Sequence, residues 1–473
     1  MPPAADQTSP GFFPAATLAA LAARETARYQ ASNPKSAELA ATLGEHWFAG
    51  APLHWMRDWP LPFPLSVREA SGARLTDVDG HAYSDFCLGD TAAMFGHSPA
   101  PVAAAIAAQA SRGLATMLPG ADAAWVGVEL TRRFGLARWQ VATTASDANR
   151  FLLRWARAAT GRQKILVFDG CYHGAVDDTL VRLIDGRAQP APGLLGQSGQ
   201  GGDGTTLVVD FNDPEALAHA LKANDVAAVL CEPALTNIGM VLPDPGFHAT
   251  LRAVTREHGT LLLLDETHTL SCGPGGYTRA HGLDPDAIVI GKAIAGGLPC
   301  AVYGVSAALA HDMQTAWTSA PDGRTGIGTT LSANPLQFAA LRANLEHMMS
   351  DDHYARMEAM AGELAAGLRG VFARHDLDWC VTQLGARCEF QACALPPRTG
   401  RAAEAAANPA LERLLHLYLL NRGLVITPFH NMLLVSPATS MDAVWALLDA
   451  VDACLTEAAT RDPGTLAQPP PAP

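Results

Sequence analysis

Short apolar segments without polar alternation recur between residues 164 and 305, and they restrict the fold more than any other feature of the sequence. They are KILVF (164–168), TTLVVDF (205–211), VAAVLC (226–231), TLLLLD (260–265), AIVIG (287–291) and AVYGV (301–305). Helical patterns separate them, for example at residues 214–222 and 247–258. Such strands are typical of a mostly parallel sheet that helices cover on both faces. In these α/β folds, ligands bind beyond the carboxyl ends of the strands.

The chain is long enough for two domains, since its 473 residues exceed the usual size of one compact domain. After about residue 335 the pattern changes, and WCVTQLGARCEFQAC (379–393) alternates like a pair of strands. We therefore predict a large α/β domain followed by a smaller α+β domain. The predicted limits are 15–75 for an N-terminal segment that packs with the small domain, 76–335 for the large domain, 336–460 for the small domain, and 1–14 and 461–473 for disordered ends.

Charge and composition exclude several classes of function. The formal net charge is -13, which disfavours binding to nucleic acid or to an anionic membrane. No apolar run approaches the roughly 18 residues of a membrane helix, and the N-terminus lacks the pattern of a secretory signal. The nine cysteines form no C-x-x-C pair, so we expect no metal site. Scattered cysteines in odd number fit a reducing compartment, and we predict a cytoplasmic protein.

Polar residues follow three of the predicted strands. Asp265 ends TLLLLD, Lys292 follows AIVIG, and Ser146 follows WQVATT (139–144) at the start of a helix. A lysine at the end of a buried strand is desolvated, which favours the neutral amine that a Schiff-base nucleophile requires. A buried aspartate needs a cationic partner, such as the protonated pyridine nitrogen of pyridoxal phosphate. A helix start that carries a hydroxyl can bind phosphate.

Each of these residues also has a plainer interpretation. Lys292 is compatible with a surface lysine, and Asp265 with a turn or capping residue. Ser146 is compatible with an ordinary helix cap, which is the commoner use of such a serine. An amine, a strand-end carboxylate and a phosphate-binding helix start together are more informative than any one of them.

Longer motifs along the chain carry a family resemblance. They are LTDVDGHAYSDF (75–86), FGHSPAPV (95–102), VFDGCYHG (167–174), CEPALTNIGMVLP (231–243), LLLLDETHT (261–269) and GTTLSANPLQFAAL (328–341). With these motifs, the chain resembles the class III, fold-type I, pyridoxal-phosphate-dependent aminotransferases over residues 55–455, particularly the branch that contains glutamate-1-semialdehyde aminomutase. The resemblance implies a large domain with a mostly parallel, seven-stranded-type sheet covered by helices, and a smaller α+β domain.

The resemblance also assigns roles to individual residues around pyridoxal 5'-phosphate. Lys292 would form the Schiff base and then shuttle a proton, and Asp265 would keep the pyridine nitrogen protonated. These two residues lie 27 positions apart, which is about the spacing in the family. Tyr172 would stack on the ring face, and Ala145 and Ser146 would cradle the phosphate.

Further residues match family positions near the cofactor. Glu232 and Asn237 would support the site, and His173 would have a packing or hydrogen-bonding role. Thr329 would reach the phosphate held by the neighbouring subunit. This last role implies an obligate homodimer with shared active sites.

The sequence departs from the family pattern at three places. Residues 144–147 read TASD, where the family usually has S-G-T-E, so Ala145 adds a Cβ and the turn cannot depend on a positive φ at low cost. Thr267 adds a hydroxyl where an apolar side chain usually packs on the ring. His268 could tune the protonation of the lysine–cofactor Schiff base, although a solvent-facing turn histidine is an equal alternative.

Candidate substrate contacts are less specific. A substrate carboxylate usually binds an arginine fork, and Arg57 and Arg387 lie where such an arginine would fit. Asp90 matches an entrance loop and could contact an amino or hydroxyl group. Surface arginines and a turn-capping aspartate are the alternative interpretations.

The leading functional hypothesis is an aminotransferase that passes an amino group from an amino acid or amine to an oxo acid, aldehyde or ketone, through a pyridoxamine intermediate and ping-pong kinetics. The alternative is an intramolecular aminomutase of the glutamate-1-semialdehyde type. A non-catalytic regulator is disfavoured because Lys292 and Asp265 are retained. A nicotinamide-dependent dehydrogenase would need G-x-G-x-x-G after an early strand, and no such motif occurs there.

Overall fold

The computed structural model describes residues 13–196 and 204–460. The disordered ends predicted at 1–14 and 461–473 lie outside the described residues, apart from residues 13 and 14. The helices are α1 (Ala15–Ser32), α2 (Pro34–His46), α3 (Ala100–Ala110), α4 (Ala121–Phe134), α5 (Ala145–Thr160), α6 (Pro214–Leu221), α7 (Phe247–Glu257), α8 (Gly276–Ala280), α9 (Ala307–Ser319), α10 (Pro335–Ala343), α11 (Asp351–Arg374), α12 (Gly400–Ala405), α13 (Pro409–Leu420) and α14 (Met441–Ala458). The strands are β1 (Val67–Ser71), β2 (Arg74–Asp77), β3 (Ala82–Asp85), β4 (Arg138–Ala142), β5 (Lys164–Phe168), β6 (Val181–Ile184), β7 (Arg187–Pro190), β8 (Thr206–Val209), β9 (Val226–Cys231), β10 (Leu261–Asp265), β11 (Ala287–Ile290), β12 (Ala301–Val305), β13 (Cys380–Leu384), β14 (Arg387–Gln391), β15 (Leu424–Val425) and β16 (Met432–Leu434).

The chain divides into two compact units. Among the described residues, the large unit comprises those within Thr91–Arg356 and Pro397–Ala405, and the small unit comprises the others. These limits differ from the domain boundaries expected near residues 76 and 335. Strands β2 and β3 belong to the small unit because β3 pairs with β15. Helix α10 belongs to the large unit because it packs against α3 and α4.

A seven-stranded sheet forms the centre of the large unit, in the order β4-β12-β11-β10-β9-β5-β8. Strand β12 pairs antiparallel with both of its neighbours, and the other pairings are parallel. The α/β architecture with a mostly parallel sheet, predicted from the apolar segments, is therefore confirmed. Strands β9, β11 and β12 are buried along their whole length, as continuous apolar sequences require.

Helix α5 contacts five strands of this sheet, and its first turn lies at the carboxyl end of β4. Its buried face includes Phe151, Leu152 and Ala156, which recur at helical spacing. Full burial of side chains like the first two contributes about 1.5–3 kcal/mol each. Thr144 caps the helix by accepting a hydrogen bond from the Asp147 backbone amide, and Gly161 ends it in the left-handed conformation.

The small unit contains two separate sheets. One has the order β1-β2-β3-β15 and the other β13-β14-β16. Helix α1 packs against α13, where buried Glu25 binds Arg422 at 3.1 Å and Asn421 at 2.9 Å. Among the described residues of both units, no helix combines the length and the apolar character that crossing a membrane would require.

Candidate functional site

A cavity of about 350 Å³ opens at the carboxyl edge of the large unit's sheet. Asp265 pairs in register with Val289, so the ends of β10 and β11 bring Asp265 and Lys292 to the same edge. The rest of the wall comes from segments that follow β4, β5 and β9, from Ala92 and from residues 297–300 before β12. The lining residues are Ala92, Thr143, Thr144, Ala145, Ser146, Tyr172, His173, Gly174, Glu232, Asn237, Asp265, Thr267, His268, Lys292, Gly297, Leu298, Pro299 and Cys300. The structure therefore brings the residues expected around the cofactor together, apart from Thr329.

The predicted phosphate turn forms the start of helix α5. Ala145 is the first helical residue and is not among the residues with positive φ, so its Cβ causes no backbone strain. The hydroxyl of Ser146 accepts a hydrogen bond from the Ala175 backbone amide at 3.0 Å. Backbone amides at a helix start bind anions. The start of α5 therefore remains suited to phosphate, although residues 144–147 differ from the family's usual sequence.

Ala145 fits against Gly291, the residue that precedes the candidate lysine. A Cβ built on Gly291 would lie 2.8 Å from the Cβ of Ala145, closer than real Cβ atoms approach. The same atom would be 3.5 Å from Thr267 and 3.6 Å from the Cα of Ala145, which are ordinary contacts. The Cβ of Ala145 thus has room only because residue 291 is glycine.

We expect Gly291→Ala to destabilise the protein by about 1–3 kcal/mol, the usual effect of overpacking, and to weaken cofactor binding. The double variant Ala145→Gly with Gly291→Ala should recover most of both losses, because it removes the colliding Cβ. Thermal unfolding and cofactor titration of both variants and of Ala145→Gly alone check this. If the double variant were as unstable as Gly291→Ala, the contact would not be the cause.

Asp265 lies in a buried hydrogen-bonded cluster. Its Oδ2 accepts from Asn149 Nδ2 at 2.8 Å and lies 3.1 Å from His173 Nδ1, and its Oδ1 accepts from the Thr267 amide at 3.1 Å. Burial opposes charge on both groups, but the hydrogen bond to His173 holds the pKa of Asp265 below its ordinary value. The pKa of His173 is raised well above its ordinary value against the effect of burial, in part by this carboxylate. Asp265 is thus held as an anion that faces the cavity.

Asn149 was not singled out from the sequence. It lies four positions after Ala145 on helix α5, which is the spacing of side chains on one helix face. That periodicity places it on the side of the helix that faces the sheet, but it does not reveal Asp265 as the partner. His173, expected to hydrogen-bond, does so with Asp265.

Lys292 follows β11 with a φ of +48°, in the left-handed region. A non-glycine residue in this region carries about 1–2 kcal/mol of strain, and such residues cluster at functional sites. Its side chain is half-buried, and its Nζ is hydrogen-bonded to His268 Nε2. His268 is therefore buried within the site and is not a solvent-facing turn residue.

A chain of hydrogen bonds continues from His268 away from the lysine. His268 Nδ1 lies 2.7 Å from Thr236 Oγ1, and that hydroxyl lies 2.7 Å from Glu232 Oε2. Glu232 Oε1 accepts from the Tyr172 amide at 3.0 Å. Thr236 was not predicted, because a threonine between two motif positions carries no signal without its partner, which is 32 residues away.

Of the remaining predicted cofactor contacts, Tyr172 lies at the cavity and Thr329 lies outside it. Tyr172 is 48% exposed and lines the cavity, where its ring can cover a bound planar group. Thr329 is exposed and does not line the cavity of its own chain. Its hydroxyl lies 2.7 Å from the hydroxyl of Ser332.

The three candidate substrate residues belong to the small unit. Arg57 is exposed, next to a short helical turn. Arg387 is fully buried on β14, and Asp90 has a left-handed φ of +50°. Both act electrostatically on His430, whose pKa is raised against the effect of burial chiefly by Glu389.

The residues around the cavity fit pyridoxal phosphate by their chemistry. A helix start with Ser146 suits a phosphate, a fixed carboxylate suits a pyridinium nitrogen, and an amine suits an aldehyde. Gly174 has a φ of +84°, and a Cβ there would lie 2.9 Å from the Cα of Ser146. The loop that carries Tyr172 therefore approaches the phosphate turn as closely as only glycine permits.

Comparison with known proteins agrees with this geometry. The family profile described as aminotransferase class-III matches residues 56–444. The glutamate-1-semialdehyde 2,1-aminomutase of Desulfitobacterium hafniense is 34% identical over 331 residues, which are 68% of this chain and 75% of that protein.

Solved structures give the same picture. A glutamate-1-semialdehyde-aminomutase from Pseudomonas aeruginosa PAO1 is 48% identical, with a TM-score of 0.92 over 94% of this chain and 99% of that one. A lysine-to-alanine variant of a glutamate-1-semialdehyde-aminomutase from the same organism was solved in complex with PMP. An omega-transaminase from Sphaerobacter thermophilus is 26% identical, with a TM-score of 0.80 over 89% of this chain and 97% of that one.

Proposed function

Since the chain belongs to the class-III aminotransferase family and its site is that of a pyridoxal 5'-phosphate enzyme, we propose that it is an intramolecular aminomutase. It would move an amino group between adjacent carbons of one substrate, of the glutamate-1-semialdehyde type. The 48% identity to the Pseudomonas aeruginosa enzyme over 94% of this chain supports this most strongly. Transamination was the leading hypothesis from the sequence, and the similarity favours the aminomutase alternative.

The residues of the cavity would have different roles in this reaction. When bound, the cofactor delocalises the electron pair left on a substrate carbon that has lost a proton. Lys292 would bind the cofactor through Nζ and then carry the proton between carbons. Asp265 would keep the pyridine nitrogen protonated, since its own carboxyl group is held ionised. Ser146 and the start of α5 would bind the phosphate, and Tyr172 would cover the ring.

Two further features belong to this proposal. Thr329 would contact the phosphate bound by a second copy of the chain, in a homodimer with shared sites; its exposure supports this, as do exposed Leu331 and Trp317 nearby in the sequence. Arg57, Arg387 and Asp90 would bind the polar groups of the substrate. A cytoplasmic location is supported by the nine cysteines, all of which are free thiols.

Transamination is the second candidate. The similarity to the Sphaerobacter thermophilus omega-transaminase, with a TM-score of 0.80, supports it. The same lysine and aspartate would serve that reaction, so the two candidates differ in the number of substrates. A transaminase needs an amino donor and an acceptor, whereas an aminomutase converts one compound alone.

We expect the purified, cofactor-loaded protein to convert glutamate 1-semialdehyde without any added amino donor or oxo acid. The product would carry the amino group on the former aldehyde carbon and a ketone on the former amine carbon. Chromatography or NMR measures the loss of substrate and the formation of product over many turnovers, and the two amounts should be equal. No conversion alone, but turnover once a second amine or oxo compound is added, would establish the transaminase instead.

A further inference from the structure

Two side chains connect the candidate lysine to a buried acid. The acid, Glu232, is 4% exposed, and the intervening Thr236 and His268 are 1% and 4% exposed. The links are the hydrogen bond from Lys292 Nζ to His268 Nε2 and the two 2.7 Å contacts on either side of the Thr236 hydroxyl. The His268 ring can accept a proton at one nitrogen and release one from the other, and the Thr236 hydroxyl can accept and release a proton at its single oxygen.

The single proton of the Thr236 hydroxyl fixes the direction of every bond in this chain. When Glu232 is ionised, the hydroxyl donates to it and accepts from His268 Nδ1–H. The lone pair of His268 is then on Nε2, where it accepts from the Lys292 ammonium. When Glu232 carries the proton, every bond reverses, and His268 Nε2–H donates to a neutral amine.

We propose that Glu232, Thr236 and His268 form a proton relay that takes a proton from the Lys292 ammonium and returns it. One proton leaves Lys292 Nζ for His268 Nε2. The Nδ1 proton of the same ring passes to Thr236 Oγ1, whose own proton passes to Glu232 Oε2. One proton has then moved from Nζ to Oε2, and the amine is neutral and able to attack a carbonyl carbon.

The environment of Glu232 suits a proton acceptor at the end of such a relay. Burial raises its pKa above the ordinary value, while His173, Thr236 and the Tyr172 amide counteract part of this effect. The other charged groups around the chain are Asp265, paired with His173, and Glu266, which binds Thr269 and the amides of Tyr277 and Thr278. The pKa of Cys231, next to Glu232, is raised well above its ordinary value by burial, so it stays a neutral thiol.

The test measures the rate at which cofactor-free protein binds added pyridoxal phosphate, monitored by visible absorption. The rate is measured at pH values from about 6 to 10, a range that ends near the ordinary lysine pKa. Thr236→Val removes the hydroxyl and keeps the shape, and Thr236→Ser is its matched control. We expect Thr236→Val to slow loading by roughly 100-fold near neutral pH, the lower end of the range for a positioned proton acceptor, and to approach the wild-type rate at high pH. Thr236→Ser should follow wild type throughout.

His268→Gln provides a second, independent test. Glutamine can hydrogen-bond to Lys292, but its amide cannot pass a proton from one side to the other. It should reproduce the slow loading near neutral pH even if Thr236→Val does not fold. His258→Gln, at a partly exposed position in the loop before β10, should load like wild type.

The relay would be overturned if Thr236→Val, Thr236→Ser and His268→Gln all loaded the cofactor at the wild-type rate at every pH. A uniform slowing that does not recover at high pH would also contradict it, because that result indicates a structural role. The measurement contains no substrate, so it does not depend on whether the enzyme is an aminomutase. If wild-type protein loads the cofactor but does not convert the single substrate, the proposed function is refuted, and the relay is unaffected.

Discussion

Lys292→Ala is expected to abolish turnover and to leave the protein folded. The amine is the nucleophile and proton carrier in the proposed reaction, and no other lysine lies among the residues that line the cavity. The loss should be on the order of 10⁴-fold or more, the upper range for a positioned acid–base group. The visible band of the lysine-bound cofactor should disappear as well, because the variant has no amine with which to form that bond.

Lys222→Ala is the matched control for this variant. Lys222 follows helix α6 in the same unit, is exposed, and is absent from the cavity wall. It should retain full activity and the visible band. Both variants should unfold within a few degrees of wild type, since neither removes a fully buried apolar side chain. Lys292→Ala with turnover near the wild-type rate would refute the assignment of the nucleophile.

Asp265→Asn is expected to slow the reaction by roughly 10²–10⁴-fold, because the neutral amide no longer keeps the pyridine nitrogen protonated. Asparagine has nearly the same shape, so the protein should fold. His173 loses the carboxylate that helps to raise its pKa and should return toward its ordinary value. Steady-state rates, the visible spectrum and the pH titration of this histidine by NMR measure these effects.

Asp225→Asn is the control for the loss of a carboxylate. Asp225 forms a surface ion pair with Lys164, and exposed pairs of this kind contribute little to stability. Its variant should behave like wild type in every assay. If Asp265→Asn also kept the wild-type rate, the carboxylate would not be the partner of the pyridine nitrogen.

The positions of Lys292, Asp265 and Ser146 could be predicted because they depend on one local rule. Parallel strands end at the same edge of a sheet, so residues directly after apolar segments converge in space. Glu232 follows β9 and Tyr172 follows β5, so both obey this rule, although they were expected from the family resemblance. The predictions for Lys292, Asp265 and Ser146 needed only the strand assignment and the direction of the chain.

Residues that act through a distant partner could not be predicted in this way. Asn149 and Asp265 are 116 residues apart, and Thr236 and His268 are 32 residues apart. The sequence gives the type of each side chain but not which buried groups meet. Ala145 illustrates the same limit. Its Cβ is accommodated because Gly291, which follows β11 on the far side of β12, has none.

The extent of each compact unit also depended on long-range pairing. Strands β2 and β3 pair as a hairpin across the turn at Asp79-Gly80. Its assignment to the large domain did not take account of β15, more than 300 residues later, which pairs with β3. Local patterns identified these strands but not the unit to which they belong.

The most direct test of the account is borohydride reduction of the purified, cofactor-loaded protein, followed by digestion and mass measurement of the labelled peptide. The chain has only four lysines, at positions 35, 164, 222 and 292, so the site of labelling is unambiguous. We expect one pyridoxyl group per chain, on Lys292, with loss of the yellow colour on reduction. A label on another lysine, or a protein that takes up no cofactor, would contradict the proposed site.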